Sequence, residues 1–201
     1  VHSEQFWNPQ KIASEEIKMA LNTKSLVFLN ANDEYAQQLA PRIKVDKLMY
    51  KTFDTDNIKA DIYFDEHSFK KWKENADLKS HFNLHIKDKK YEVETNLFGK
   101  MNYGYIGVAI WIAETLAYRW KSDLHLPDKK KLELTYKLQP GRLSVFDWKF
   151  NTLIIDSTYN ASPLSVRKTI DTVYTIRNNC FSKSEIWLIL WDMRELGDLT
   201  E

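Results

Sequence analysis

The sequence predicts an α/β protein: a layered sheet with helices, followed by a second and incomplete α/β unit. Three observations predict it. Short apolar runs with strand character alternate with stretches of helical apolar spacing along most of the chain, as layered α/β folds require. The step Pro140-Gly141 interrupts that alternation, and such a step breaks both helix and strand. After it, residues 143–201 supply too few strands for a doubly wound sheet, so the chain is expected to be a piece of something longer. The expected division is 1–139 and 140–201.

The elements follow in order. Asn8-Pro9 marks a helix start, a capping side chain followed by proline at the first helical position. Ile12, Ile17, Met19 and Leu21 give that helix its apolar side. The run "SLVFLN" (25–30) predicts a short buried strand, and "NDEYAQQLA" a helix capped by Asn32 or Asp33. "DKLMYKTF" and "KADIYF" are two further strand candidates, and residues 66–76 read as a charged surface helix. "FNLHIKDKKYEVETN" alternates on both sides of Asp88-Lys89, the pattern of an antiparallel hairpin. A long apolar helix is expected over 103–119, and "LPDKKKLELTYKL" reads as a short helix with Pro127 near its start. "QPGR" (139–142) is the strongest linker signal. "LSVFDWKFNTLIID" predicts strand, turn and strand; a helix from Pro163 to about Ile176 and the strand "IWLILW" (186–191) follow.

Composition narrows the function classes. Of 201 residues, 43% are hydrophobic and 28% charged, ordinary for a soluble globular protein, and the length allows a real core. A net charge of +1 argues against nucleic acid and anionic membranes as partners. The single cysteine, Cys180, cannot form an internal disulfide and reads as a buried apolar residue. No apolar stretch approaches the roughly 20 residues of a membrane span, and no signal-like segment opens the chain; a cytoplasmic setting is expected. No phosphate-cradling G-x-x-x-x-G-K-[ST] loop occurs.

Several segments in series carry a resemblance. "PGRLSVFDWKFNTLIIDSTYNASPLSVRKTIDTV" and "WLILWDMRELGDLTE", preceded by "VHSEQF", "KIASEE", "LVFLNAND" and "GKMNYGYIGVAIWIAETLA", resemble the Mur ligase family of bacterial cell-wall (peptidoglycan) synthesis, most closely its dipeptide-adding branch. The resemblance implies that 1–139 is a portion of the family's central domain without its phosphate-loop part. Residues 140–201 would begin its Rossmann-like C-terminal domain. It further implies ATP and Mg2+ as cofactors, and a UDP-muramoyl-peptide with an amino acid or dipeptide as substrates. In the implied reaction ATP phosphorylates a substrate carboxylate, and an amine attacks the acyl phosphate to give an amide. Such chemistry is mostly positioning and electrostatics.

Carried over residue by residue, the resemblance places His2 and Glu16 at a magnesium site. Glu16 stands where the family has a carbamylated lysine, so it would supply a carboxylate without modification; a one-step slip would bring Glu15 or Lys18 there instead. Imidazole is an unusual ligand for an ion that prefers oxygen, and both residues also read as an end-of-chain histidine and a solvated helix glutamate. Asn102 matches an adenine-facing asparagine, or caps the long helix; Met101 and Tyr105 replace the neighbouring His and second Asn of the family pattern. Arg142 matches an arginine that reaches the γ-phosphate on domain closure, or is a surface arginine at a linker. In "DSTYNASP", Asp156 stands one position before the family's ribose-binding acid and Ser157 stands in its place, with Tyr159 and Asn160 matching. The turn also reads as a plain strand-to-helix connection, with Ser162 capping a helix. In "DMRELGD", Trp191 replaces the usual preceding glycine.

Three readings remain open: part of an ATP-dependent ligase, inactive in isolation; a Mur-ligase-like binding or scaffold protein without ATP use; and an α/β interaction module of other ligand. The third predicts that Arg142, Asn102 and the 156–160 turn do not share a cleft.

Overall fold

Strand pairing organises the chain into two sheets, seen in a computed structural model that describes residues 9–52, 59–71, 78–120, 131–159 and 161–190. The larger has six strands in the order β1 to β6: β1 (Leu26–Asn30), β2 (Asp46–Tyr50), β3 (Ile62–Lys71), β4 (Leu78–Ile86), β5 (Lys89–Thr95) and β6 (Lys131–Leu134). The pairs β1–β2, β2–β3 and β5–β6 are parallel, and β3–β4 and β4–β5 are antiparallel. The smaller sheet is the antiparallel pair β7 (Ser144–Trp148) and β8 (Thr152–Asp156). The helices are α1 (Pro9–Leu21), α2 (Glu34–Leu39), α3 (Lys100–Trp120) and α4 (Pro163–Cys180).

Local chemistry explains the boundaries. Asp33, not Asn32, caps α2, its carboxylate accepting from the Ala36 N–H at 2.9 Å. Ser162 and Ser165 form a reciprocal capping box at the start of α4, with Pro163 at the first position. The hairpin expected around Asp88-Lys89 is β4–β5, its turn made by Lys87 at φ 53°. Alternation places Phe82, Leu84, Tyr91 and Val93 on one face, against Tyr103, Ile106 and Ile110 of α3.

α3 lies very close to that face. A Cβ on Gly104 would stand 2.1 Å from the Lys51 carbonyl oxygen, and one on Gly107 2.4 Å from Ile62 Cγ2. Two missing side chains thus set the helix-to-sheet distance. A second cluster (Ile17, Val27, Leu29, Ile43) seats α1 on the other face of β1. A third joins the sheets: Ile176 of α4 packs with Phe69, Leu78 and Phe98, and Leu143, Val145, Leu153 and Ile155 close around them.

Three expected elements differ. The expected helix at 66–76 is strand as far as Lys71, with residues 72–77 outside the described residues. A bulge between Asp65 and Ser68, with Glu66 at φ 49°, shifts the alternation by one and hides the strand period among charged residues. Lys131–Leu134, expected in a short helix, is β6: Leu132 is buried while Lys131 and Glu133 on either side of it are exposed, and the parallel partner β5 decides the conformation. Pro127 lies outside the described residues. The expected strand at 186–191 has no ladder over 186–190, and Trp187 and Ile189 are 83% and 92% exposed. A strand needs a neighbour, and β7–β8 pair only with each other among the described residues.

The bulge also places His67 edge-on to Phe69 and beside Tyr103, at ring distances of 4.6 and 5.2 Å. Burial, helped by the Lys100 charge, pushes its pKa down to about 4. The unfolded chain therefore takes up this proton first, near pH 6.5, and the native state only near 4. Full stability lies above pH 6.5 and is lost as pH falls toward 4; His81, also pushed down by burial, contributes with the same sign. Partial solvent access limits the His67 share to about 1–2 kcal/mol. Urea midpoints are expected to drop across this window and to drop less in His67→Gln; an equal drop in both proteins would refute the assignment.

Candidate functional site

Two turns meet where the six-stranded sheet gives way to β7–β8. The first is Gln139–Arg142, closed by the Arg142 N–H donating to the Gln139 carbonyl at 3.2 Å. Proline in its second position and Gly141 at φ 75° in its third are what a type II turn requires. The second follows β8, where Asp156 Oδ1 accepts from the Thr158 N–H at 3.1 Å and the Thr158 hydroxyl at 2.7 Å.

The turns interlock. The Gly141 N–H donates to Asp156 Oδ2 at 3.0 Å, and the Tyr159 N–H donates to the Gly141 carbonyl at 3.2 Å. A Cβ on Gly141 would stand 2.6 Å from the Tyr159 nitrogen, so no larger residue fits. The Arg142 guanidinium lies over the Tyr159 ring at 3.9 Å, a cation–π contact on an exposed tyrosine. Ser157 turns away, its hydroxyl 3.5 Å from that of Thr169 on α4.

The start of α3 adjoins this pair. Leu143, next to Arg142, places its Cδ1 3.4 Å from where a Cβ of Gly99 would be, one residue before α3. Asn102 is in that first turn, but its side chain bends back to donate to the Phe98 carbonyl at 2.6 Å. The backbone thus brings Arg142, Tyr159, Asp156 and the Asn102 turn to one region, with one Asn102 amide hydrogen committed locally. Tyr105 stacks obliquely on Tyr50 at 5.8 Å. Burial, with the neighbouring Tyr105 and Asp33, pushes the Tyr50 phenol up to about 12, so it stays neutral.

Glu16 lies on α1, and its one-step alternatives Glu15 and Lys18 pair with each other at 2.5 Å on the exposed side. His2, Asn160 and the run 192–198 with Trp191 lie outside the described residues. Among the described residues no group of three or more His, Cys, Asp or Glu is placed to hold a metal ion. No described helix is long and apolar enough to cross a membrane.

A further polar cluster joins Asn30, Asn32 and Thr52 at the main sheet. At the carboxyl ends of β1 and β2, Asn32 Oδ1 accepts from the Thr52 N–H at 2.7 Å, and Asn30 Oδ1 accepts from the Asn32 N–H at 3.0 Å. Strand ends of this kind are where open α/β sheets place ligands, and the asparagines closing "LVFLNAN" were the available signal. A cleft of about 560 Å3 opens at the opposite, amino ends of β1 and β2, between Phe28, Leu48, Lys87 and Trp111.

No protein-family model matches the chain, and no curated protein matches it. Solved structures do. The MurF ligase from Thermotoga maritima in complex with ADP is similar at a TM-score of 0.62 and 18% identity, over 87% of this chain and 37% of that one. MurF from Acinetobacter baumannii is similar at 0.60 and 18% identity, over 87% and 35%. A UDP-N-acetylmuramoylalanyl-D-glutamyl-2,6-diaminopimelate–D-alanyl-D-alanyl ligase from the same organism reaches 0.57 at 18% identity, over 87% and 35%. The chain thus spans little more than a third of the length of the structures it matches. With its mixed sheet, the close-packed α3 and the interlocked turns on either side of β7–β8, the chain has a Mur ligase-like fold.

Proposed function

We propose that the chain is part of an ATP-dependent amide ligase of cell-wall precursor synthesis, with the interlocked turns and the start of α3 as the nucleotide-facing part. The observation that carries this reading is Arg142, held on a rigid turn beside the carboxyl end of β8 and the start of α3. A guanidinium stays charged at all working pH and grips phosphate oxygens in pairs, so it suits a triphosphate. Tyr159 would line the nucleoside side, and the resemblance adds Asn160, which lies outside the described residues, while Ser157 faces Thr169 instead. Asn102 would join them by releasing the Phe98 carbonyl. ATP would supply the phosphoryl group that activates a carboxylate for attack by an amine. The proposed substrates are a UDP-muramoyl-peptide and an amino acid or dipeptide, and the proposed setting is the cytoplasm. His2 and Glu16 would serve Mg2+, which would help neutralise phosphoryl charge.

One observation favours a second reading. Asn102 is hydrogen-bonded to its own helix start, and Met101 and Tyr105 cannot reproduce amide pairing to adenine, as in a binding or scaffold protein of this fold without ATP use.

Titration with ATP, followed residue by residue by NMR, separates the two. Shifts at 99–102, 141–142 and 157–159, with affinity about 10–100-fold weaker in Arg142→Ala, are expected for loss of a charge-assisted contact. No shifts at millimolar ATP would leave the scaffold reading.

A further inference from the structure

We infer that Asp156 is a positioning residue: its carboxylate latches the Gln139–Arg142 turn to the end of β8 and so fixes where the Arg142 guanidinium points. Both oxygens already work within the protein, Oδ2 on the Gly141 N–H and Oδ1 on the Thr158 N–H and hydroxyl. One carboxylate therefore ties the residue before Arg142 to the turn that carries Tyr159. The return bond from the Tyr159 N–H to the Gly141 carbonyl makes the tie two-sided, and the space against Gly141 admits no Cβ. The consequence falls on Arg142, whose long side chain would otherwise sample many rotamers. With its backbone held from Gly141 and the Tyr159 ring set by the same latch, the guanidinium has one seat. Leu143 carries the same constraint to Gly99 and the start of α3.

That the seated guanidinium serves a nucleotide's phosphates rests on the function proposed above; the latch does not. The test is Asp156→Asn in the 15N-labelled chain, which keeps the shape and removes one charged acceptor. Thr158→Val, which removes only the hydroxyl donor, serves as a milder second variant. In Asp156→Asn the Gly141 amide is expected to exchange about tenfold faster or more, since its charged acceptor is gone. The Arg142 side-chain resonances should lose the upfield shift imposed by the Tyr159 ring. Thr158→Val should move both signals the same way by less. ADP affinity should fall about tenfold and adenosine affinity should not, because only the phosphates would meet Arg142. Unchanged Gly141 exchange and Arg142 shifts would overturn the latch. Weaker ADP and adenosine binding with those signals intact would also overturn it, by making Asp156 a direct ligand contact. If the parent chain binds neither compound, the nucleotide reading fails, and exchange and ring shifts alone decide the latch.

Discussion

Gly104→Ala is expected to lower the unfolding free energy by about 2–4 kcal/mol, the range of severe overpacking. The added methyl would stand 2.1 Å from the Lys51 carbonyl oxygen. That oxygen belongs to backbone and cannot turn aside, because the Lys51 N–H is tied to the Ile62 carbonyl at 2.9 Å. α3 would have to back away from β2, loosening Tyr103, Ile106 and Ile110 in the main core. Alanine's better helix propensity returns only about 0.5–1 kcal/mol. Gly107→Ala is the internal control: its methyl would meet Ile62 Cγ2 at 2.4 Å and Leu84 Cδ1 at 3.0 Å. Those are side-chain carbons rather than backbone, Leu84 Cδ1 at a chain end and Ile62 Cγ2 on a stiff branched Cβ, so the expected loss is smaller than for Gly104→Ala, about 1–3 kcal/mol. Urea denaturation of both variants checks the order, and an equal or reversed order would show that backbone contact does not set the spacing.

Tyr103→Ala is expected to cost about 3–5 kcal/mol, as for other large aromatic truncations in a core. The residue is fully buried; its ring stacks on Phe82 at 3.9 Å and 15° and meets Phe64 edge-on at 5.2 Å. It therefore joins α3 to the middle of the sheet through contacts that no smaller side chain reaches. Its hydroxyl has no hydrogen-bond partner of good geometry, the nearby Ser80 hydroxyl donating instead to the Leu97 carbonyl at 2.8 Å. Burial pushes the phenol far up, so it is neutral at any working pH. Tyr103→Phe is thus expected to stay within about 1 kcal/mol of the parent. Thermal and urea unfolding of the pair test this, and a phenylalanine variant as weak as the alanine one would mean that the hydroxyl anchors the core.

What the sequence made legible was what short-range chemistry decides. The hairpin β4–β5, the helix α3, the cap of α4 and the Pro140-Gly141 turn each follow from residues within one element. The strand at Glu66–Lys71 was hidden because a bulge breaks the period of two and the exposed positions carry charge. β6 was hidden because its conformation comes from a partner strand far back in the chain, Glu92↔Lys131 through Thr95↔Leu134. The run 186–190 failed in the other direction, apolar and β-branched enough to read as strand but without a ladder. At the site, Arg142, Tyr159 and Asp156 were each named from the sequence, while the bonds that join them were not legible. Those bonds cross from one turn to another, and no local pattern encodes which acceptor Gly141 finds.

The glycines of α3 have a further consequence, for how likeness of fold relates to likeness of chemistry. The residues that seat the helix, Tyr103, Gly104, Ile106 and Gly107, are all buried, while Met101, Asn102 and Tyr105 are half-buried or exposed on its other side. Sequence drift at the second set leaves the helix where it is. Drift at the first would displace it. The helix-to-sheet seat is therefore fixed by the first set and leaves the side chains of the second free to differ. A shared backbone course at 18% identity is compatible with such a division of constraints.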